Sequence, residues 1–309
     1  MVKLAFLFPG QGSQTVGMGR SFYDASPAAR AVFEEANDAL GFDLAKLAFA
    51  GPESDLALTA NTQPAVLTAS VAAATVCGER GLTPALAAGH SLGEYSALVI
   101  AGALRFADAV RVVRRRGEFM QEAVPVGTGA MAAVMGLELA AVDALCKEAA
   151  QGEVLNVANI NSAGQIVVAG HRTAVERAVA LAGKKSVMLP VSAPFHCALM
   201  APAAARLAGE LLAVTASDPV FPVVRNVDAG VTRTAADVKP FLLKQVASPV
   251  RWTECVQRLV AEGATTFIEV GPGRVLTGLL RRIVDGARGQ SIEDRAGLDK
   301  ALAVLGAPE

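Results

Sequence analysis

The chain has 309 residues, 52% hydrophobic and 18% charged, with 28 basic and 29 acidic side chains and a net charge of −1. That length and composition fit one large folded domain or two unequal ones and exclude a disordered chain. The balanced charge, with no basic block beyond Arg114-Arg115-Arg116, argues against a nucleic-acid partner, and no apolar run reaches the length of a membrane span.

Residues 2–8 form a short apolar run stopped by Pro9-Gly10. Without a charged n-region or a cleavage site, the run predicts a first buried strand rather than a signal peptide. The stretch Phe8-Pro-Gly-Gln-Gly-Ser-Gln14 follows, with backbone N–H groups suited to half of an oxyanion hole. Helices are predicted at 27–40 and 64–80. The apolar run 84–88 predicts a strand, and 94–103 a helix of small residues. Between them stands Gly89-His90-Ser91-Leu92-Gly93, a Gly-x-Ser-x-Gly pattern. In a nucleophile elbow the serine sits on a sharp strand-to-helix turn, and the glycines remove Cβ atoms that would block it.

The helix predicted at 106–124 carries an apolar stripe that includes Val112 and Met120, and Arg116 falls between them on that stripe. A guanidinium directed inward needs a counter-charge. An internal salt bridge would supply one, and so would a substrate carboxylate gripped in bidentate fashion. The residues alone leave both readings open.

The rhythm then changes. Strands at 129–135, 154–160, 165–170 and 186–191 and helices at 138–150 and 172–182 run β-α-β-β-α-β, the ferredoxin-like order, with a turn at Asn161-Ser162-Ala163-Gly164. An inserted subdomain is therefore expected at 126–192, with the main body at 1–125 and 193–309. The body resumes with a helix at 200–213 and strands at 220–225 and 265–270. Its alternation of strands and helices predicts an α/β fold with helices on both faces of the sheet. Gly271-Pro-Gly273 lacks the Lys and Ser/Thr of a phosphate loop and is read as a helix start. The cysteines at 77, 146, 197 and 255 are scattered and read as reduced core thiols of a cytoplasmic protein.

A serine nucleophile needs a base, and the chain has three histidines. His90 adjoins Ser91 and is expected to pack away from the hydroxyl. His171 reads as a solvated helix start. His196 lies where the chain re-enters the main body and is the favoured base. No Asp or Glu occurs between Glu176 and Glu210, so an acid from elsewhere or a backbone carbonyl must orient the imidazole.

Together these motifs resemble the malonyl-CoA:acyl carrier protein transacylase family of bacterial type II fatty acid synthesis. The likeness runs nearly end to end. It rests on Phe8-Pro-Gly-Gln-Gly-Ser-Gln14, Asn61-Thr-Gln-Pro64, Gly89-His-Ser-Leu-Gly-Glu94, Arg116-Gly117 and Met120-Gln-Glu122. It continues through Gly127-Thr-Gly-Ala-Met131, Asn159-Ile-Asn-Ser-Ala-Gly-Gln165, His196-Cys-Ala-Leu-Met200, Gln245, Pro249-Val-Arg-Trp252 and Glu269-Val-Gly-Pro-Gly273. The resemblance implies an α/β-hydrolase-like core with a parallel sheet and a ferredoxin-like insertion. It implies that Ser91 takes malonyl from malonyl-CoA as an ester, with His196 as base and the backbone carbonyl of Gln245 holding the ring. The backbone N–H groups of Gln11 and Leu92 would form the oxyanion hole. Arg116 would clamp the malonyl carboxylate, and Gln63 and Asn161 would line or brace the site. The phosphopantetheine thiol of holo acyl carrier protein would then attack in a ping-pong sequence. No cofactor beyond the pantetheine of the substrates, no membrane and a monomeric state are expected.

One position departs from the pattern. Many fatty-acid members carry Ser before the catalytic histidine, whereas Phe195 resembles the Phe-His pair of malonyl-selective polyketide acyltransferases. A bulky ring there should crowd an α-methyl group. The alternatives are accordingly a free-standing acyltransferase serving a polyketide synthase, the malonyl-transferring subunit of a malonate decarboxylase, or a serine thioesterase or hydrolase, which uses the same elbow and dyad.

Overall fold

The apolar runs Leu4–Phe8 and Leu86–Gly89 lie side by side and are buried throughout, as strands covered on both faces must be. They belong to a computed structural model that describes residues 3–287 and 289–306; Val2, at the head of the predicted first strand, lies outside these. The strands are β1 (Leu4–Phe8), β2 (Leu86–Gly89), β3 (Gly129–Met135), β4 (Leu155–Ser162), β5 (Gln165–His171), β6 (Ser186–Met188), β7 (Val223–Val224), β8 (Val231–Thr232), β9 (Thr266–Val270) and β10 (Gly289–Ile292).

Among the described residues they form two sheets, one in the order β10-β9-β1-β2-β7-β8 and one in the order β4-β5-β3-β6. The first is parallel except at β7–β8; the second is antiparallel. The expected α/β architecture with a parallel sheet is therefore present, beside a separate antiparallel sheet. The four body strands predicted from sequence are adjacent in the large sheet. Its register sets Phe8 against Gly89, so the loops after β1 and β2 leave the same sheet edge together. All four cysteines are buried and unpaired.

Several boundaries differ from expectation for local reasons. The helix predicted from Pro64 begins at Thr59 and holds Pro64 in its interior. Proline there removes the bond to the carbonyl four residues back, and Arg114 Nη1 fills that role by donating to Ala60 O at 3.0 Å. The strand expected at 186–191 stops at Met188, ahead of Pro190, which cannot donate to a ladder. The predicted four-residue turn is tighter: Asn161 and Ser162 remain in β4, and the chain reverses at Ala163-Gly164. The strand expected at 220–225 shrinks to the two residues of β7, which begins after Pro222.

Two helices that carry site residues, Ala235–Gln245 and Trp252–Ala261, escaped the sequence patterns. The first contains Pro240, which reads as a breaker. No helix among the described residues is long and apolar enough to cross a membrane.

Candidate active site

Ser91 sits two residues past the end of β2 at φ 51°, a left-handed conformation uncommon for a residue with a side chain. The turn is possible because its neighbours carry no Cβ. One on Gly89 would lie 1.8 Å from the Gly93 carbonyl carbon, and one on Gly93 would lie 2.1 Å from Phe8 O. A strained residue at a functional turn stores on the order of 1–3 kcal/mol and persists only if its surroundings hold it.

Asn226 provides much of that hold. Its Oδ1 accepts from Ser91 N at 2.6 Å and its Nδ2 donates to Gly89 O at 2.7 Å, so one buried amide spans the elbow. Sequence reading missed Asn226, because it follows a two-residue strand and belongs to no recognisable motif. Asn226→Ala orphans two backbone groups, at about 1–3 kcal/mol for each that stays dry. A lowered denaturant midpoint with an unchanged m-value is expected. A midpoint equal to that of the wild type would remove Asn226 from this role.

His196 meets Ser91 as expected, with Nε2 2.6 Å from Ser91 Oγ. The ring is 4% exposed, and Nδ1 lies 3.0 Å from the backbone carbonyl of Gln245. A carbonyl can only accept, so Nδ1 carries the proton and Nε2 is free to take one from the serine. Burial first, and the charge of Arg116 second, pull His196 down to about 3, so the imidazole is neutral near pH 7. The approach to His196 is tight. A Cβ on Gly129, at the head of β3, would lie 2.3 Å from Pro194 Cγ, so β3 packs directly on the segment that delivers the histidine.

The other histidines lie elsewhere. His90 Nε2 is 2.9 Å from Asn161 Oδ1 and its ring is 5.5 Å from that of Trp252, a packed role as expected. Asn161 thus braces the elbow from β4. His171 does stand at a helix start, at the N-cap of the helix Arg172–Ala182, but it is half-buried rather than solvated: its Nδ1 accepts from Val154 N at 2.9 Å, tying the end of β5 to the segment before β4.

Arg116 is 2% exposed, as its place on the apolar stripe requires. Its Nη1 donates to Gln63 Oε1 at 2.8 Å, and its Nη2 to Gln245 Oε1 at 2.9 Å and to Ser91 Oγ at 3.1 Å. Its Nε has no hydrogen-bond partner. Among the described residues no carboxylate lies within ion-pair distance of it, so the internal salt bridge is not formed. Gly117 makes this geometry possible: a Cβ there would lie 2.7 Å from Thr59 O, and the close approach of the two helices brings Gln63 to Arg116.

The carboxylate nearest in the network is Glu94. Its Oε2 accepts from Gln245 Nε2 at 2.8 Å and from Asn226 N at 3.0 Å. Burial pushes Glu94 up to about 7, against the hydrogen bonds from Gln245 and Asn226 and the charges of Arg225 and Arg116.

Gln11 lies in the exposed loop after β1, where Gly10 allows close contact with the elbow; a Cβ on Gly10 would lie 2.4 Å from His90 O. Gln11 Nε2 donates to Thr59 Oγ1 at 3.2 Å. Leu92 stands at the N-terminus of the helix Gly93–Ile100, where backbone N–H groups lack helical partners. Phe195 is buried beside His196 in the main core. Among the described residues no group of three or more His, Cys, Asp or Glu side chains is placed to hold a metal ion.

Residues 5–300 match the family model described as the acyl transferase domain. The chain is 51% identical over 307 residues to a malonyl CoA-acyl carrier protein transacylase of Salmonella typhimurium, covering 98% of this chain and 99% of that one. Among solved structures it resembles an acyl carrier protein S-malonyltransferase from Vibrio cholerae (TM-score 0.94, 49% identity, covering 97% and 99% of the two chains). It also resembles a malonyl-transacylase solved in complex with a type II polyketide acyl-carrier protein (TM-score 0.95, 48% identity, covering 98% and 99%).

Proposed function

The chain belongs to the acyl transferase family, and from that premise we propose that it moves malonyl from malonyl-CoA to the phosphopantetheine thiol of acyl carrier protein for fatty acid synthesis. The observation that carries the choice of acyl group is Arg116. A buried cation with no carboxylate in contact lies 3.1 Å from the nucleophilic oxygen, so an acyl group that brings its own carboxylate completes the site.

In the first half-reaction Ser91 Oγ attacks the thioester carbonyl and its proton passes to His196 Nε2. The N–H groups of Gln11 and Leu92 receive the oxyanion. That oxyanion supplies the counter-charge the new imidazolium needs. Collapse breaks the C–S bond, and the coenzyme A thiolate leaves with the proton from His196. The carrier thiol then repeats the sequence in reverse, giving its proton to His196 and releasing Ser91. Gln63 and Gln245 hold Arg116, and Asn161 holds His90 and the elbow.

The supporting architecture is an α/β-hydrolase-like core, residues 1–125 and 193–309, with a ferredoxin-like insertion at 126–192. The order β4-β5-β3-β6 and the insertion's own apolar cluster, which includes Val134, Val142, Val168 and Val175, support this division. The reaction calls on no cofactor beyond the pantetheine of its substrates, and we place the protein in the cytoplasm as a monomer.

Malonyl-CoA is expected to add a malonyl mass to Ser91, and holo acyl carrier protein to remove it as malonyl-carrier. Absence of the adduct would count decisively against this function. Release of free malonate in water, faster than transfer, would favour the hydrolase instead. Phe195→Ser is expected to relax selection against methylmalonyl-CoA by roughly 1–3 kcal/mol, the worth of one methyl group in a pocket. Competing malonyl- and methylmalonyl-CoA for one carrier protein measures it; equal discrimination by both proteins would sink the claim.

A further inference from the structure

We propose that Glu94 is a positioning residue for malonyl selection: through the side-chain amide of Gln245 it keeps Arg116 oriented and free of a direct ion pair for the acyl carboxylate. The inference rests on the reading of Arg116 as the carboxylate clamp.

The geometry is a relay of three side chains. Gln245 Nε2 donates to Glu94 Oε2 at 2.8 Å and to Ser91 O at 3.0 Å. Ser91 O can only accept and Arg116 can only donate, so this end of the amide must be the NH2 group. The oxygen is thereby turned toward Arg116 Nη2, 2.9 Å away. Glu94 Oε2 also accepts from Asn226 N at 3.0 Å, so one carboxyl oxygen holds both donors. Glu94 is 2% exposed and Gln245 fully buried, so neither amide nor carboxylate can exchange these partners for water.

The distance of Glu94 from the clamp is the functional point. A carboxylate placed directly on Arg116 would form the salt bridge that competes with substrate. One amide removed, Glu94 still offsets the charge of the buried cation but leaves the guanidinium face beside Ser91 open. It also fixes the polarity of Gln245. A flipped amide would present NH2 to Arg116, exchanging an attraction for a repulsion. The same residue's backbone carbonyl holds His196, so Glu94, Arg116 and the catalytic ring converge on Gln245.

The test is Glu94→Gln, which keeps the size and the accepting oxygen but lets residue 94 offer an NH2 group to Gln245. Malonyl-CoA and acetyl-CoA are compared as donors above pH 7, where Glu94 is ionised. We expect kcat/KM for malonyl-CoA to fall roughly tenfold, mainly through KM, because the clamp acts on ground and transition states alike. Acetyl-CoA has no carboxylate, and its kcat/KM should stay within about twofold of wild type. Equal losses for both donors would show that Glu94 merely supports the elbow and would overturn the proposal, as would no loss for either.

Gln245→Met breaks the relay from its other end and stands in if Glu94→Gln does not fold. Its malonyl-to-acetyl ratio should drop in the same direction, and the double variant should drop no further than the lower single one. Multiplying effects would mean that the two residues act independently. Arg116→Ala, assayed alongside, separates the premises. If it leaves selectivity unchanged, the clamp itself fails. If it shifts selectivity while Glu94→Gln does not, only the relay fails.

Discussion

His196→Ala is expected to slow malonylation of Ser91 by roughly 10²–10⁴-fold, the range contributed by one positioned base. The ring is the group 2.6 Å from Ser91 Oγ that can accept its proton, and its neutral state is secured by burial and by the charge of Arg116. Removing it leaves Arg116 Nη2 still donating to Ser91 Oγ, so the hydroxyl keeps a cation nearby but has no acceptor for its proton. The residual rate then reflects the oxyanion donors and binding, which persist when a dyad member is lost. Single-turnover labelling of Ser91 by malonyl-CoA measures this step apart from carrier binding. A rate within a few-fold of wild type would remove His196 as the base.

The dyad was legible in sequence because its requirements are local. An elbow serine demands glycines at fixed offsets, and with three histidines in the chain elimination could point to His196. Arg116 was legible as inward-facing from helical periodicity, although periodicity could not say what it faces. The supporting shell was not legible in this way. Glu94, Asn226 and Gln245 are separated by 132 and 19 positions and meet only because β7 and the helix Ala235–Gln245 bring them under the elbow.

Proline hid one of the framing helices, and the first turn of another, for a related reason. Pro64 and Pro240 read as breakers in a one-dimensional pattern, and at Ala60 the compensating donor comes from Arg114, 54 positions away. The orienter of His196 is a backbone carbonyl, which carries no side-chain signature at all; only the family resemblance pointed to Gln245. Local chemistry was therefore readable from the residues, and the contacts that hold it in place were not.

Arg116→Ala is expected to abolish the preference that this shell supports, lowering malonyl transfer relative to acetyl transfer by on the order of a hundredfold or more. In the wild-type site an acetyl group leaves the guanidinium buried without an anion, a state that costs about 3–5 kcal/mol when a buried ion pair loses one member. Malonyl removes that cost by supplying the carboxylate, and each 1.4 kcal/mol is a tenfold preference. With alanine at 116 both donors meet the same uncharged site, so the penalty against acetyl disappears together with the attraction for malonyl. Gln63 and Gln245 would then face one another's oxygens across the space left by the side chain, 2.8 Å and 2.9 Å from the nitrogens they had accepted from. Some loss for both donors from this reorganisation is common to them and cancels in their ratio. The ratio of kcat/KM for malonyl- and acetyl-CoA is therefore the measurement, taken with one carrier protein. A ratio equal to that of wild type would mean that the cation beside Ser91 plays no part in choosing the acyl group.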